Sequence, residues 1–240
     1  MKKGSVIIIG AGPGLGSSLA RKFAKEGHHV FVVRRERNAS ALNELCNEIE
    51  SSGGNATAIP TDARDEEQVI NLFSKISEHG QIDCVIFNIG ANVFFPIKET
   101  TARVFKKVWE MATFGGFLVG RESAKHMKNN GTIIFTGATA SVRGSSGFSA
   151  FSSAKFGLRA LAQSLARELG PQGIHVVHTI IDGAIDHPWI EENFPETYKL
   201  KEVDGILNPD QIAETYYNLH LQEKSVWTHE IDLRPYMEKF

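Results

Sequence analysis

Short, wholly apolar runs alternate along this chain with longer stretches in which apolar residues recur every three or four positions. The first run, Val6-Ile7-Ile8-Ile9, contains no polar residue, as a strand buried on both faces requires. Residues 14–26 follow, with Leu15, Leu19, Phe23 and Ala24 at helical spacing. The same pattern predicts strands at 30–33 and 56–59. It places a helix over 40–52, with Leu42, Leu45, Cys46 and Ile49 on one face, and another over 65–77. Farther on it predicts strands at 85–87, 132–135, 174–180 and 227–231, and helices over 101–127, through Lys155 to 169, and over 209–220. Repeated strand–helix–strand units with short connections imply a doubly wound parallel sheet covered by helices on both faces, in one domain spanning 1–240.

One stretch breaks the alternation. Residues 184–207 follow a late strand and carry Trp189, Phe194 and Tyr198. In a doubly wound sheet such an excursion lies at the carboxyl edge, where ligands bind. It is a candidate substrate lid, with an ordinary surface loop as the alternative.

Composition narrows the partners. With 26 basic and 28 acidic residues the formal net charge is -2, which lacks the concentrated basic footprint that nucleic acid or an anionic membrane calls for. The apolar run near the N-terminus is too short for a signal peptide core or a membrane span. Cys46 and Cys84 are far apart and form no metal-binding spacing, so each is expected to be a reduced thiol. A cytoplasmic protein acting on a small molecule, with no metal, is the expectation.

The first strand runs directly into Gly10-Ala11-Gly12-Pro13-Gly14-Leu15-Gly16. A glycine turn between a strand and a helix gathers backbone N–H groups and a helix N-terminus at one point, which suits a pyrophosphate. The spacing G-x-x-x-G-x-G fits through Gly10, Gly14 and Gly16, with Leu15 turned toward the core. A Rossmann-like dinucleotide site is therefore expected. The second strand ends in Val33-Arg34-Arg35, with no acid to accept from a ribose 2′-hydroxyl. Guanidinium groups there suit a 2′-phosphate, which favours NADP(H) over NAD(H).

With these motifs in order, the chain resembles the short-chain dehydrogenase/reductase family over essentially its whole length. Asp62 and Ala63 fall where that family has residues beside the adenine. Asn88-Ile89-Gly90 is similar to the second half of its Asn-Asn-Ala-Gly motif, with Phe87 in place of the first asparagine. Lys155 matches the motif lysine, and Asp182-Gly183-Ala184-Ile185 resembles a Pro-Gly-x-Ile stretch. The resemblance implies a nicotinamide cofactor, with Gly183 and Ile185 near it and Lys155 on its ribose. It also implies a homodimer or homotetramer formed through the 101–127 and Lys155 helices, on which Phe105, Val108, Phe117, Leu161 and Leu165 are apolar.

The family's catalytic set is carried over only in part. Its tyrosine, four positions before the lysine, falls at Phe151; its serine falls at Ala138 and its helix asparagine at Ala112. A phenyl ring has no exchangeable proton. Loss of a positioned general acid costs roughly 10²–10⁴ in rate, and loss of an oxyanion donor roughly 10²–10³. Thr139 and His187 are the candidate substitutes, while His28, His29 and His175 are expected to have no chemical role. Phe94, Phe95, Phe114, Trp189 and Phe194 are candidates to line an apolar pocket. Two functions stay open: an oxidoreductase with altered acid chemistry, and a silent NADP-binding sensor or interaction protein.

Overall fold

The structure is a computed structural model that describes residues 3–128 and 130–238. The strands are β1 (Ser5–Ile9), β2 (His29–Val33), β3 (Asn55–Ala58), β4 (Ile82–Phe87), β5 (Gly131–Thr136), β6 (Ile174–Ile181) and β7 (Glu230–Leu233). They form one seven-stranded sheet in the order β3-β2-β1-β4-β5-β6-β7, and every pairing is parallel. The helices are α1 (Leu15–Lys25), α2 (Ala39–Ser51), α3 (Glu66–Ser77), α4 (Ala102–Trp109), α5 (Gly115–His126), α6 (Ser149–Leu169), α7 (Pro188–Asn193), α8 (Pro195–Tyr198) and α9 (Pro209–His220).

Alternation along β1 divides the core in two. Val6 and Ile8 point into a cluster with Leu19 and Phe23 of α1, Leu42 of α2 and Tyr216 of α9. Ile7 and Ile9 point the other way, into a cluster with Phe73 of α3, Leu118 of α5 and Leu158 of α6. A period-2 strand that is apolar at every position must be covered on both sides, and helices supply both covers. The helix starts are chemically marked. Asp65 accepts from Gln68 N at 3.0 Å, Thr101 from Val104 N at 3.2 Å, and Asn208 from Asp210 N at 2.9 Å.

The largest departures from the pattern in the sequence are three, the other boundaries lying within a residue or two. β4 begins at Ile82 rather than 85, because Asp83 interrupts the apolar run but stays in the strand. The predicted 101–127 helix is broken by a π-helical turn, Glu110–Phe114, between α4 and α5. The last strand starts at Glu230, not 227. Trp227 stacks on His175 with ring centroids 4.8 Å apart, and Thr228 N donates to Gln222 Oε1 at 2.8 Å, so neither enters the ladder. The 184–207 excursion folds as α7, α8 and a 3₁₀ segment, Lys199–Val203. It is closed at its base by the Ile185–Leu207 bridge, with Leu207 N donating to Ala184 O at 2.8 Å and Asp186 N to Leu207 O at 2.8 Å. Cys46 and Cys84 are free and buried. Burial pushes the Cys46 thiol up to about 11 and Cys84 well above its ordinary value.

Polar groups also lie inside. His178 on β6 is fully buried and its Nδ1 bonds Glu230 Oε2 at 2.9 Å, while Arg159 of α6 grips the same carboxylate through two contacts of 2.6 Å. Burial lowers His178 and His220 to about 4, and lowers His28 and His175 as well. In the unfolded chain these imidazoles titrate near 6.5. Since the folded values are depressed, the stability tied to the neutral rings is complete above about 6.5 and is lost as pH falls toward about 4. His178 alone is worth about 3 kcal/mol across that window. Glu230, whose carboxyl is held below its ordinary value mainly by Arg159, acts with the same sign. Denaturant titrations from pH 7.5 down to 4.5 are expected to show a steep loss of stability below 6.5, and replacing His178 with Gln should flatten that slope.

Candidate active site

The carboxyl ends of the central strands open into a groove made of two joined cavities of about 230 and 670 Å³. Both are walled by Gly10, Asn88, Ile89 and Gly90, so the groove runs without a break across the end of β1. That position is where strand order reverses, since β1 is flanked by β2 on one side and β4 on the other.

The glycine turn forms the floor. Gly10 has φ +97°, a conformation that residues with a side chain rarely adopt, and its N–H donates to Val33 O at 2.9 Å. A Cβ on Gly16 would fall 2.8 Å from Ala11 Cα and closer still to Gly10 O, so only glycine lets α1 start this near the strand. Asn88 stitches the turn to β4. Its N–H donates to Ile9 O at 2.8 Å and its Nδ2 to Gly10 O at 3.2 Å. Leu15 is buried in the core and also borders the larger cavity. Gly14 faces away from the smaller cavity, against the ring of His187.

The smaller cavity is bounded by Arg34, Arg35, Asp62, Ala63 and Arg64. Arg34 also crosses over Gly12, where a Cβ would lie 3.3 Å from its Cζ. Asp62 is held by Arg64, whose Nε donates at 2.9 Å, and this contact first, with Arg35 adding last, keeps the carboxyl below its ordinary value. The acid of this cavity is therefore already paired. The sequence pattern did not reveal Arg64, Asn38, Thr61 or Met111 as wall residues. The spacing Asp62-x-Arg64 was the available sign of the first.

In the larger cavity Lys155 is 2 % exposed. Its Nζ donates to Thr136 O at 2.8 Å and to Ile89 O at 3.1 Å, and burial lowers it to about 8. Phe151, one helical turn before it, lies on the cavity wall with its ring centroid 5.9 Å from that ammonium. Ala138 is on the wall as well. Ala112 is not: it is fully buried in the π-helical turn, packed with Ala150 and Ala154 of α6. Gly183 and Ile185 border the cavity from the end of β6. Thr139 borders it too, but its hydroxyl is engaged, donating to the carboxylate of Asp182. His187 caps α7, accepting from Trp189 N at 2.8 Å through Nδ1, and its ring rests against the glycine turn.

The aromatic candidates separate into three places. Trp189 lines the cavity, joined by Phe148 and Ile190, which the pattern had not singled out. Phe94 lies outside, edge-on to Phe148 at 5.2 Å, and Phe194 lies edge-on to Trp189 at 5.4 Å. Phe95 is surface-exposed. Phe114 is elsewhere, stacked between Trp109 and Phe117 on the outer face of α4 and α5, so it is not a pocket residue. Arg143 and Asn92 on the cavity wall went unnoticed in the sequence, because loop residues carry no periodicity.

Comparison with known proteins agrees with this geometry. The family model described as short chain dehydrogenase matches residues 4–196. The chain belongs to that family. It is 33% identical over 181 residues to a versicolorin reductase of Emericella nidulans, covering 75% of this chain and 68% of that one. It is 30% identical over 181 residues to an elsinochrome reductase of Elsinoe fawcettii, covering 75% and 67%. Among solved structures, a short-chain dehydrogenase from Rhodopseudomonas palustris is 48% identical, with a TM-score of 0.84 over 97% of this chain and 99% of that one. The family comprises oxidoreductases that bind a nicotinamide cofactor, act on small molecules and typically form oligomers. Among the described residues no helix is long and apolar enough to cross a membrane, and no group of His, Cys, Asp and Glu has metal-binding geometry.

Gly16→Ala is expected to push α1 off the strand and to lower the melting temperature by several degrees while removing most dinucleotide affinity. Calorimetry and fluorescence titration with NADPH measure the two effects separately.

Proposed function

We propose that this protein is an NADP(H)-dependent oxidoreductase that interconverts an alcohol and a carbonyl on a small, largely apolar aromatic molecule. The observation that carries this reading is the unbroken groove from Arg34 and Arg35, over the glycine turn, to the buried Lys155.

The residues fit the cofactor. The turn around Gly10 and Gly16 leaves backbone where any Cβ would collide, as a pyrophosphate resting on main-chain N–H groups requires. Arg34 and Arg35 present guanidinium groups at the adenosine end, and the nearby acid, Asp62, is paired with Arg64, so a 2′-phosphate is met by positive charge. Asp62 and Ala63 would hold the adenine, Asn88 and Gly90 the central part, and Gly183 and Ile185 the nicotinamide. Lys155, fixed by two carbonyls, has one N–H left for the ribose. When bound, the cofactor donates or accepts the hydride. Trp189, Phe148 and Ile190 then offer the apolar walls for the substrate, and the 184–207 segment serves as its lid on the single domain. The exposed Phe105, Trp109, Phe117 and Phe156 give α4–α6 an apolar face for a homodimer or homotetramer. The two buried, unpaired thiols suit a reducing cytoplasm.

Phe151 and Ala138 in place of the tyrosine and serine set the expected rate. On a panel of bicyclic aromatic ketones such as 2-tetralone, the wild type should turn over slowly with NADPH, and Phe151→Tyr with Ala138→Ser should raise kcat about 10²-fold or more. Equal rates in the two proteins would refute the claim that the missing groups limit the reaction. NADPH binding with no turnover on any member of the panel would instead identify a silent nucleotide-binding protein. Arg34→Ala should weaken NADPH by about 10–100-fold and NADH by less than about twofold. Equal weakening of the two would exclude the 2′-phosphate role.

A further inference from the structure

With no phenol at 151 and no hydroxyl at 138, the larger cavity needs another way to move the proton that accompanies the hydride. The hydroxyl next in sequence, Thr139, lies on its wall. Its proton is committed: Thr139 Oγ1 donates to the carboxylate of Asp182, at the end of β6. A hydroxyl has one proton, so toward the groove Thr139 has only lone pairs to offer. It is a ready acceptor for a substrate O–H and a poor partner for a carbonyl oxygen.

Asp182 is built in rather than incidental. It is 6 % exposed, its N–H is bound to Leu233 O at 2.9 Å, and Arg234 NH2 stands 3.2 Å from its other carboxylate oxygen. A buried carboxylate costs several kcal/mol unless it is paired and hydrogen-bonded, and here it has both kinds of partner. Arg234 is in turn paired with Asp232 of β7 and lies within the field of Glu238. Thr139 and Asp182 lie 43 residues apart and meet only because β5 and β6 are neighbours in the sheet.

Resting on the oxidoreductase reading above, we propose that Thr139 and Asp182 form the acid–base unit of this site, with an alcohol as the substrate that Thr139 receives. In the oxidising direction the substrate O–H bond breaks and its proton passes to Thr139 Oγ1, whose own proton passes to Asp182. The carbinol hydrogen leaves with its electron pair for the oxidised nicotinamide cofactor, and the substrate departs as the carbonyl. Asp182 then returns its proton to water. In the reducing direction the same steps run backward and require Asp182 protonated at the start. Oxidation therefore starts from the carboxylate that Arg234 pairs with, and reduction from the carboxylic acid.

The test uses 2-tetralol with NADP⁺ and 2-tetralone with NADPH, from pH 5 to 9, on the wild type, Asp182→Asn, Thr139→Val and Thr139→Ser. Asp182→Asn and Thr139→Val should each lower kcat for the alcohol about 10²-fold or more. Thr139→Ser should retain the rate. NADPH affinity, followed by fluorescence, should change less than about twofold in all three variants. Carbon-13 NMR of aspartate-labelled protein should show the Asp182 carboxyl resonance displaced in Thr139→Val, which removes its hydroxyl donor, and restored in Thr139→Ser. If the wild type turns over and either Asp182→Asn or Thr139→Val keeps its rate, the proton route is overturned while the oxidoreductase reading stands. If the wild type binds NADPH yet converts neither probe, that reading falls and the proton route with it.

Discussion

The Lys155 ammonium is withdrawn from water and held by two main-chain carbonyls, Thr136 O just at the end of β5 and Ile89 O beyond β4. Thr136 is the last residue of β5, and Ile89 lies two residues past the end of β4. One side chain on α6 therefore fixes the exits of two neighbouring strands and sets the width of the groove between them. The burial that lowers Lys155 to about 8 is the energetic cost of that arrangement, and the two hydrogen bonds offset it. Remove the ammonium and both loops lose their common anchor, whatever occupies the groove.

The floor beneath these loops is unusually polar for a sheet core. Tyr216 of α9 is fully buried, and its hydroxyl bonds Thr136 Oγ1 at 2.9 Å and Thr179 Oγ1 more closely; burial pushes it up to about 12. On the opposite side of β6, His178 is tied to Glu230 and, through it, to Arg159 of α6. The ends of β5, β6 and β7 are thus pinned by directional bonds as well as by apolar packing. Such networks fix one geometry, because each broken bond leaves a buried group unsatisfied.

What the sequence revealed follows from the range of each interaction. The parallel sheet was legible because strands covered on both faces carry unbroken apolar runs, as Val6–Ile9 of β1 and Val30–Val33 of β2 do. The glycine turn and the pair Phe151 and Lys155 were legible because each is set within a few residues of chain. The start of β7 was not, since stacking of Trp227 on His175 and the bonds of Gln222 draw the preceding residues out of the ladder. Nor was the π-helical turn, whose added residue within α4–α5 buries Ala112 and turns Phe114 outward to meet Trp109 and Phe117. The places of Arg143, Phe148 and Asp182 depend on which loops the sheet brings together, and no local pattern encodes that.

The Ile185–Leu207 bridge separates the excursion it closes from the rest of the chain. The backbone leaves the sheet and returns at one point, so the intervening α7, α8 and 3₁₀ segment contributes no strand to the sheet. Insertions, deletions or aromatic replacements inside that segment are absorbed at its base without changing the spacing between β6 and α9. The smaller cavity, on the far side of β1, has no wall residue from that segment and is insulated from such changes. A lineage carrying this fold can therefore rewrite one closed loop while that half of the groove stays as it is.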